Sequence, residues 1–591
     1  MTKIFRKTKS LCPECMQRIP AEVYLDEELG WVMMRKTCPE HGLFKDKISI
    51  DPAEYELTHQ IAETQLSTST KPVSTSEYKV LPIEKGCPFD CGLCENHKSA
   101  PCICLIDLTN RCNMRCPVCF ANSGATGYVV EPTFEEVVRI MEHFRAIRPV
   151  PPVLLQLSGG EPTLRSDLFD IIRKGHELGF TDVMLTTNGV KMSKSVEYCK
   201  QLVEAGCDAV YLSFGGIERE TYIKLRGADY SKMKRRALEN ARAAGMRGVV
   251  IVPTIVKGVN DHEIGNIMDI CKEFSDITLG VLFQPVSICG RIAFEDLMDM
   301  RYTSSDLKKA INEYTGGAMP QFYPLSLLSH FTRMICYVDD VPEVSFTSDA
   351  DCGFATIMIV DKKEDRWIGI EELIDVKGFI DWSNHCWNLV EKRQLPDKVP
   401  KLSPLVEKLL GPAHYPKEGL LAGIPEVRQL FDTVASMFDR VTDLAFKKAI
   451  KAYFLAGLMR YIRVDNVLKL GNLDFMRKLL QVAGSPTIQT AWGFFAGQKN
   501  DRYVTKLISS MHFQDAYDFD TERVSHCLVH YGIMDPRDPE RQKVLQIPFC
   551  AMNTLHRERL EPQLALADQK ADDPVEVQRE MDQYLEQLER D

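Results

Sequence analysis

The chain has 591 residues, 45% of them hydrophobic and 26% charged, a composition ordinary for a folded protein of roughly two to four domains. Its net charge of -11 at pH 7 argues against nucleic acid as a partner, since that surface would be basic. No stretch approaches the roughly 20 apolar residues needed to span a bilayer, and the basic start MTKIFRKTKSLCPEC lacks an apolar signal core, so a cytoplasmic location is expected, with peripheral membrane contact left open.

Residues 1–62 carry two Cys-Pro signatures and read as a metal-binding module. Residues 63–79 (ETQLSTSTKPVSTSEYK) are polar and rich in Ser and Thr, and read as a linker. A second cysteine group follows, so 63–104 forms the next segment. From 105 to 300 strand and helix signals alternate. Short apolar runs open the units: ICLIDL (103–108), VLLQLS (153–158), DVMLTT (182–187), AVYLSF (209–214), VVIVPTIV (249–256) and LGVLFQPVS (279–287). Between them lie helical patterns. TFEEVVRIMEHF (133–144) opens with Thr133 and Glu136 as a capping box, and the helices of 167–179, 195–206 and 230–244 each run into a stopping glycine. Six βα units in series predict a parallel sheet or barrel. Pro253 sits awkwardly in the fifth strand because it has no amide to donate. Residues 301–555 are mixed, with a mainly helical, one-sidedly apolar stretch at 431–462. Residues 556–591 form a charged tail.

Twenty cysteines in a reducing compartment read as metal ligands rather than disulfides, and eleven of them precede residue 120. Cys112, Cys116 and Cys119 follow the first strand directly, where ligands gather in parallel α/β folds. Three thiolates on one loop can hold three irons of a 4Fe–4S cluster and leave the fourth open. Cys87, Cys91 and Cys94 repeat the spacing without a preceding strand, which suits an auxiliary 4Fe–4S cluster with Cys102 as fourth ligand, or a zinc knuckle. Cys12, Cys15 and Cys38 suit a mononuclear zinc or iron site. Its fourth ligand is His41 or a cysteine of 102–104, with Cys104 assigned. Single buried cysteines are ordinary core residues, and Cys199, Cys207, Cys271, Cys386 and Cys527 read so. Cys289, Cys336, Cys352 and Cys550 together could close a second auxiliary cluster. His526, His530 and His556 receive no catalytic role.

The C-x3-C-x2-C loop after a strand, followed by Gly159-Gly160-Glu161-Pro162 at the next strand end, resembles the radical S-adenosylmethionine superfamily. That resemblance implies a partial (β/α)6 barrel, here with an N-terminal metal-binding module and a mixed α/β, largely helical C-terminal region. It also implies S-adenosylmethionine as cofactor, held at its methionine end by Gly159, Gly160, Glu161 and Pro162. Thr187, Asn188 and Ser213 resemble the polar contacts to methionine and ribose, and Arg226 a contact to the carboxylate. Val118 departs from the aromatic residue frequent before the last cysteine. The N-terminal CPEC and CPEHG, then GCPFDCGLC, LTNRCNMRCPVCFANSG, HCLVHYG and IPFCAMN, resemble the archaeal tetraether lipid synthases and their relatives. The resemblance implies coupling of isoprenoid chains of diether lipids into tetraether lipids, with two auxiliary clusters, a mononuclear iron and an electron donor such as ferredoxin or flavodoxin. Methylation of 7,8-dihydro-6-hydroxymethylpterin in methanopterin biosynthesis is the alternative, and a non-catalytic iron–sulfur carrier a second one.

Overall fold

Alternating burial along residues 4–49 builds a four-stranded antiparallel meander in the computed structural model, which describes residues 2–66, 74–75, 83–91, 94–148, 151–292, 299–339, 346–393, 443–463, 465–466, 502–566 and 572–590. The strands are β1 (Ile4–Leu11), β2 (Arg18–Asp26), β3 (Trp31–Cys38) and β4 (Gly42–Ser49). Ala21, Val23, Val32 and Met34 pack with Tyr55 of helix Pro52–Leu66. In a meander the first and third turns lie at one end. Those two turns carry the two Cys-Pro signatures. Most of the linker 63–79 lies outside the described residues.

The six apolar runs form six parallel strands that adjoin in chain order: β5 (Ile103–Asp107), β6 (Leu154–Ser158), β7 (Asp182–Thr187), β8 (Ala209–Phe214), β9 (Val249–Ile255) and β10 (Thr278–Pro285). Each is followed by helix, and the first of these helices opens as expected. Thr133 Oγ1 accepts from the Glu136 amide at 3.2 Å, and Glu136 accepts in return from the Thr133 amide at 2.9 Å. Pro253 is accommodated within β9. It pairs with Phe214 of β8, while the ladder to β10 breaks between Ile251 and Thr254, so the missing amide falls in a gap.

The parallel array extends beyond these six strands. β12 (Tyr503–Met511) pairs in parallel with β10, and β11 (Gly353–Asp361) is the strand beyond β12, while β13 (Val529–Met534) pairs in parallel with β5, its other side taken by antiparallel β14 (Val544–Pro548). β12 and β13 are consecutive in sequence but flank opposite sides, so the connection 512–528 runs from one flank to the other. Strands after residue 300 thus join the sheet opened by the six βα units. β12 escapes a reading by hydropathy because Thr505, Lys506, Ser509 and Ser510 are all buried. Its polar groups are paired, with Lys506 Nζ bonding Thr278 O and Ser509 Oγ donating to Val281 O at 3.2 Å.

Two units divide the chain. One is Met1–Leu325, Thr347–Thr356 and Lys506–Asp591. The other is Ser326–Phe346 and Ile357–Thr505. In the second unit, helices Ser329–Asp339, Val376–Glu391 and Asp443–Leu458 share a core of Met334, Trp382, Cys386, Phe446, Ile450 and Phe454. Trp382 Nε1 donates to Phe454 O at 3.0 Å, and a Cβ at Gly457 would fall within the Trp382 ring. The apolar face of 443–458 is therefore packed core. Residues 431–442 of the expected helical stretch lie outside the described residues. Among the described residues, no helix is long and apolar enough to cross a membrane.

Candidate functional site

The cysteine triplet leaves β5 and lies against the turn that leaves β6. Gly159 has φ +130°, and a Cβ there would stand 2.3 Å from Thr109 O; at Gly160 it would stand 2.2 Å from Arg111 O. The turn packs backbone on backbone against the residues just before Cys112, an approach only glycine permits. Burial pushes the Cys112 thiol well above its usual range, followed by the Cys116 and Glu161 charges beside it. Burial also raises the Cys116 thiol, against the pull of Arg226. Three sulfurs from one loop, Cys112 buried and Cys116 and Cys119 partly buried, fit a 4Fe–4S cluster with one iron left free of protein sulfur.

Glu161 is fully buried. Its Oε1 accepts from Thr163 N (3.1 Å), Thr163 Oγ1 (2.6 Å) and Thr187 Oγ1 (2.8 Å), and its Oε2 from Asn188 N (2.8 Å). The carboxylate thus ties the β6 turn to the end of β7 and keeps acceptor capacity on Oε2. Asn188 Nδ2 donates to Asn113 Oδ1 on the cysteine loop at 2.7 Å. Pro162 starts a short 3-10 turn capped by Glu161. Ser213 lies near the end of β8.

Three arginines hold the loop by its carbonyls. Arg115 donates to Cys112 O at 2.6 Å, Arg291 to Cys116 O at 2.8 Å, and Arg226 to Val118 O at 3.4 Å and Phe214 O at 3.3 Å. Arg226 thereby staples the loop to β8, with its buried Nε left unpartnered. The two-residue ladder Val118–Cys119 to Arg291–Ile292 holds the far side. Gly290 at its start has φ +65°, and a Cβ there would stand 2.2 Å from Phe120 O. Lys234, fully buried, donates to Asn188 O at 2.6 Å, and burial, then the Arg226 charge, lowers it to about 7. Three guanidinium charges around the loop, joined by Lys234 when it is protonated, oppose the negative charge that a thiolate-bound cluster would bring. The sequence carried a signal for Lys234, a lysine among the buried Met233, Ala237, Leu238 and Ala241 of helix Ser231–Ala243, but none for the arginine carbonyl bonds.

The first and third turns of the meander gather Cys12, Cys15, Cys38 and His41, whose ligand atoms all lie within 4.8 Å of one another. His41 Nδ1 is 3.6 Å from Cys12 Sγ and 3.4 Å from Cys38 Sγ. Burial works to raise the Cys38 thiol, but amide hydrogen bonds at Glu40 and the His41 ring outweigh it, and the thiol falls to about 6. The set suits tetrahedral zinc. Cys104, assigned there from the sequence, is not part of it. It is a fully buried residue of β5, paired with Leu155 and His530.

Cys87, Cys91 and Cys94 line one cavity with His97 and His530. Burial, then the neighbouring Cys87, Cys94 and Cys527 sulfurs, pushes the Cys91 thiol well up. Cys102 is partly buried, its thiol raised by burial and then by the neighbouring Cys527 sulfur. Cys527, read as core, therefore adjoins this triplet. Cys289, Cys352 and Cys550 also belong to the first unit. Arg523 Nε donates to Cys352 Sγ at 3.3 Å and Gln514 N to Cys550 Sγ at 3.4 Å, while burial raises Cys289, Cys352 and Cys550 to about 12. Cys336, the fourth cysteine of that expected set, belongs to the other unit, on helix Ser329–Asp339.

Residues 106–271 match the family model of the radical SAM superfamily, and residues 4–50 that of the HMPTM N-terminal zinc ribbon domain. A 7,8-dihydro-6-hydroxymethylpterin dimethyltransferase of Methanocaldococcus jannaschii is 34% identical over 563 residues, 95% of this chain and 96% of that protein. A probable GTP 3',8-cyclase of Methanothermobacter marburgensis is 32% identical over 30% of this chain and 56% of its own length. Among solved structures, the hydrogenase maturase HydG of Carboxydothermus hydrogenoformans aligns at TM-score 0.32 and 14% identity, over 73% of this chain and 86% of that one. Streptococcus suis SuiB bound to S-adenosylmethionine aligns at 0.30 and 17%, over 37% and 46%. Both structural likenesses are distant.

Proposed function

The chain belongs to the radical S-adenosylmethionine superfamily and, within it, to the family of its Methanocaldococcus jannaschii relative, and on that premise we propose that it methylates a reduced pterin of the 7,8-dihydro-6-hydroxymethylpterin class. The observation that carries this reading is the extent of the likeness. It covers 95% of the chain, far beyond residues 106–271, and residues 4–50 separately match the HMPTM N-terminal zinc ribbon domain. Coupling of diether lipids, expected from the sequence, finds no support among these relatives. The apolar helix that could have lined a lipid groove is core.

In this reading Cys112, Cys116 and Cys119 would hold a 4Fe–4S cluster, whose chemistry when bound would be reductive cleavage of one S-adenosylmethionine to methionine and a 5'-deoxyadenosyl radical. A second S-adenosylmethionine would give the methyl and leave as S-adenosylhomocysteine, the reductant supplying the electrons. Glu161 Oε2 accepts from the methionine ammonium, and the four donors already on the carboxylate fix its direction. Gly159 and Gly160 let the backbone lie close, and Ser213 offers a hydroxyl at the next strand end. Arg115, Arg226 and Arg291 hold the loop rather than the ligand, which leaves the carboxylate to Lys234 or to the free Arg226 Nε. Cys87, Cys91, Cys94 and Cys527 are the auxiliary ligand set. Cys289, Cys352 and Cys550 are a second set, and a ferredoxin or flavodoxin is the electron source.

The test measures 5'-deoxyadenosine from the anaerobically reconstituted enzyme, a strong reductant and S-adenosylmethionine. Its formation is expected to rise on adding the pterin and to stay at background in Cys116→Ala. Stimulation by a saturated diether lipid, with none by the pterin, would overturn the reading.

A further inference from the structure

The charged residues after 555 look like a tail, yet side chains of 572–590 are buried in the apolar cluster that holds Cys112 and borders Cys116. In helix Pro574–Arg590 the apolar residues Val577, Met581, Tyr584, Leu585 and Leu588 recur at helical spacing. Met581 and Leu588 are buried in one cluster with Cys112, Met114, Tyr230 and Met233. Tyr584 bonds Ser193 Oγ through its hydroxyl at 2.7 Å, and Lys194 Nζ stands 4.3 Å above its ring. At the helix entry Arg111, next to Cys112, forms a fork with Asp572 at 3.1 and 2.9 Å. That pair is partly exposed and contributes little by itself. Burial of the apolar side chains stabilises the contact more than the ion pair does.

We propose that this C-terminal helix is the outer wall of the Cys112–Cys119 site, positioning the loop and keeping water and oxygen from its sulfurs. The Arg111–Asp572 fork sets where the wall begins. Met581 and Leu588 hold it closed, and without them Met114, Tyr230 and Met233 would form an open apolar face beside the cysteines. The oxygen-shielding role rests on the reading that this loop carries the 4Fe–4S cluster. The wall itself does not.

The experiment uses the full chain with Met581→Glu and Leu588→Glu, which force charge into the contact, beside the milder Leu588→Ala and the conservative Met581→Leu. Hydrogen exchange is followed in the metal-free and the reconstituted protein, and bleaching of the visible absorption is timed in air. The expected result is exchange of the 112–119 amides on the order of tenfold faster, in proportion to the opening of the wall. Bleaching should speed up in parallel, with the zinc content and exchange of residues 4–50 unchanged and Met581→Leu at wild-type rates. Leu588→Ala should give a smaller change in the same direction, which keeps the test open if the double variant fails to fold. Loss of protection in 577–588 while loop exchange and bleaching stay at wild-type rates would overturn the proposal. Failure of the wild type to take up iron on this loop would overturn the cluster reading instead, and loop exchange in the metal-free protein would still decide the wall.

Discussion

Glu161 does its work through what surrounds it. Four donors from two strand ends converge on one carboxylate, so Glu161→Gln would turn an amide NH2 against at least one of them. The expected outcome is a protein that still takes up iron but needs about tenfold more S-adenosylmethionine for half-maximal cleavage, from the loss of a charge-assisted hydrogen bond; binding titrations of the reconstituted enzyme check it. At the ribbon, His41→Ala should lose its equivalent of metal, while Cys104→Ala should keep it, as read by elemental analysis. The contiguous motifs were legible because a loop of three cysteines and a GGEP turn carry their geometry within a few residues. The fourth ribbon ligand was not, because His41 and Cys104 are separated only by which turns the meander brings together. Cys527 was missed for the same reason. It is remote from Cys94 in sequence, and only the β13–β5 pairing brings that part of the chain to the first strand.

The six strands and four of the helices between them were legible nearly to the residue, since hydropathy, caps and stopping glycines agreed, while the helices Arg219–Arg226 and Ile264–Glu273 were not. β12 and β13 were not, because their buried polar residues mask the apolar pattern. Helix Phe134–Arg145 shows what such burial costs. Its His143 ring is held neutral, lowered by burial to about 4, and meets Gln546 Nε2 at 2.7 Å. The unfolded chain takes up a proton near pH 6.5 and the folded one only near 4. This group's contribution is therefore complete above about 6.5 and is lost as the pH falls through 4, about 3 kcal/mol in all. His143→Gln should flatten the acid loss of stability by that amount between pH 7 and pH 4, measured by urea unfolding. An unchanged slope would mean the ring is protonated in the fold.

Within the first unit, buried Arg301 is one of the residues that join the ribbon to the 512–528 connection, beside Lys36, which donates to Ala516 O. Arg301 donates to Asp46 on β4 (3.3 and 2.5 Å) and to Asp515 (2.7 and 3.0 Å), with all three buried. Removing one partner of such a set strands the others. Arg301→Met should lower stability by about 3–5 kcal/mol in chemical unfolding, and should weaken the loop at Ile288, whose amide donates to Asp515 Oδ2 at 2.6 Å beside Cys289. This staple links the ribbon to the region of the scattered cysteines. Pterin methylation is tested most directly by mass spectrometry of the pterin after anaerobic turnover with S-adenosylmethionine and reductant. The expected product is a pterin heavier by one CH2 for each methyl added, with 5'-deoxyadenosine formed alongside and neither product in Cys116→Ala. An unmodified pterin in the presence of abundant 5'-deoxyadenosine would contradict pterin methylation.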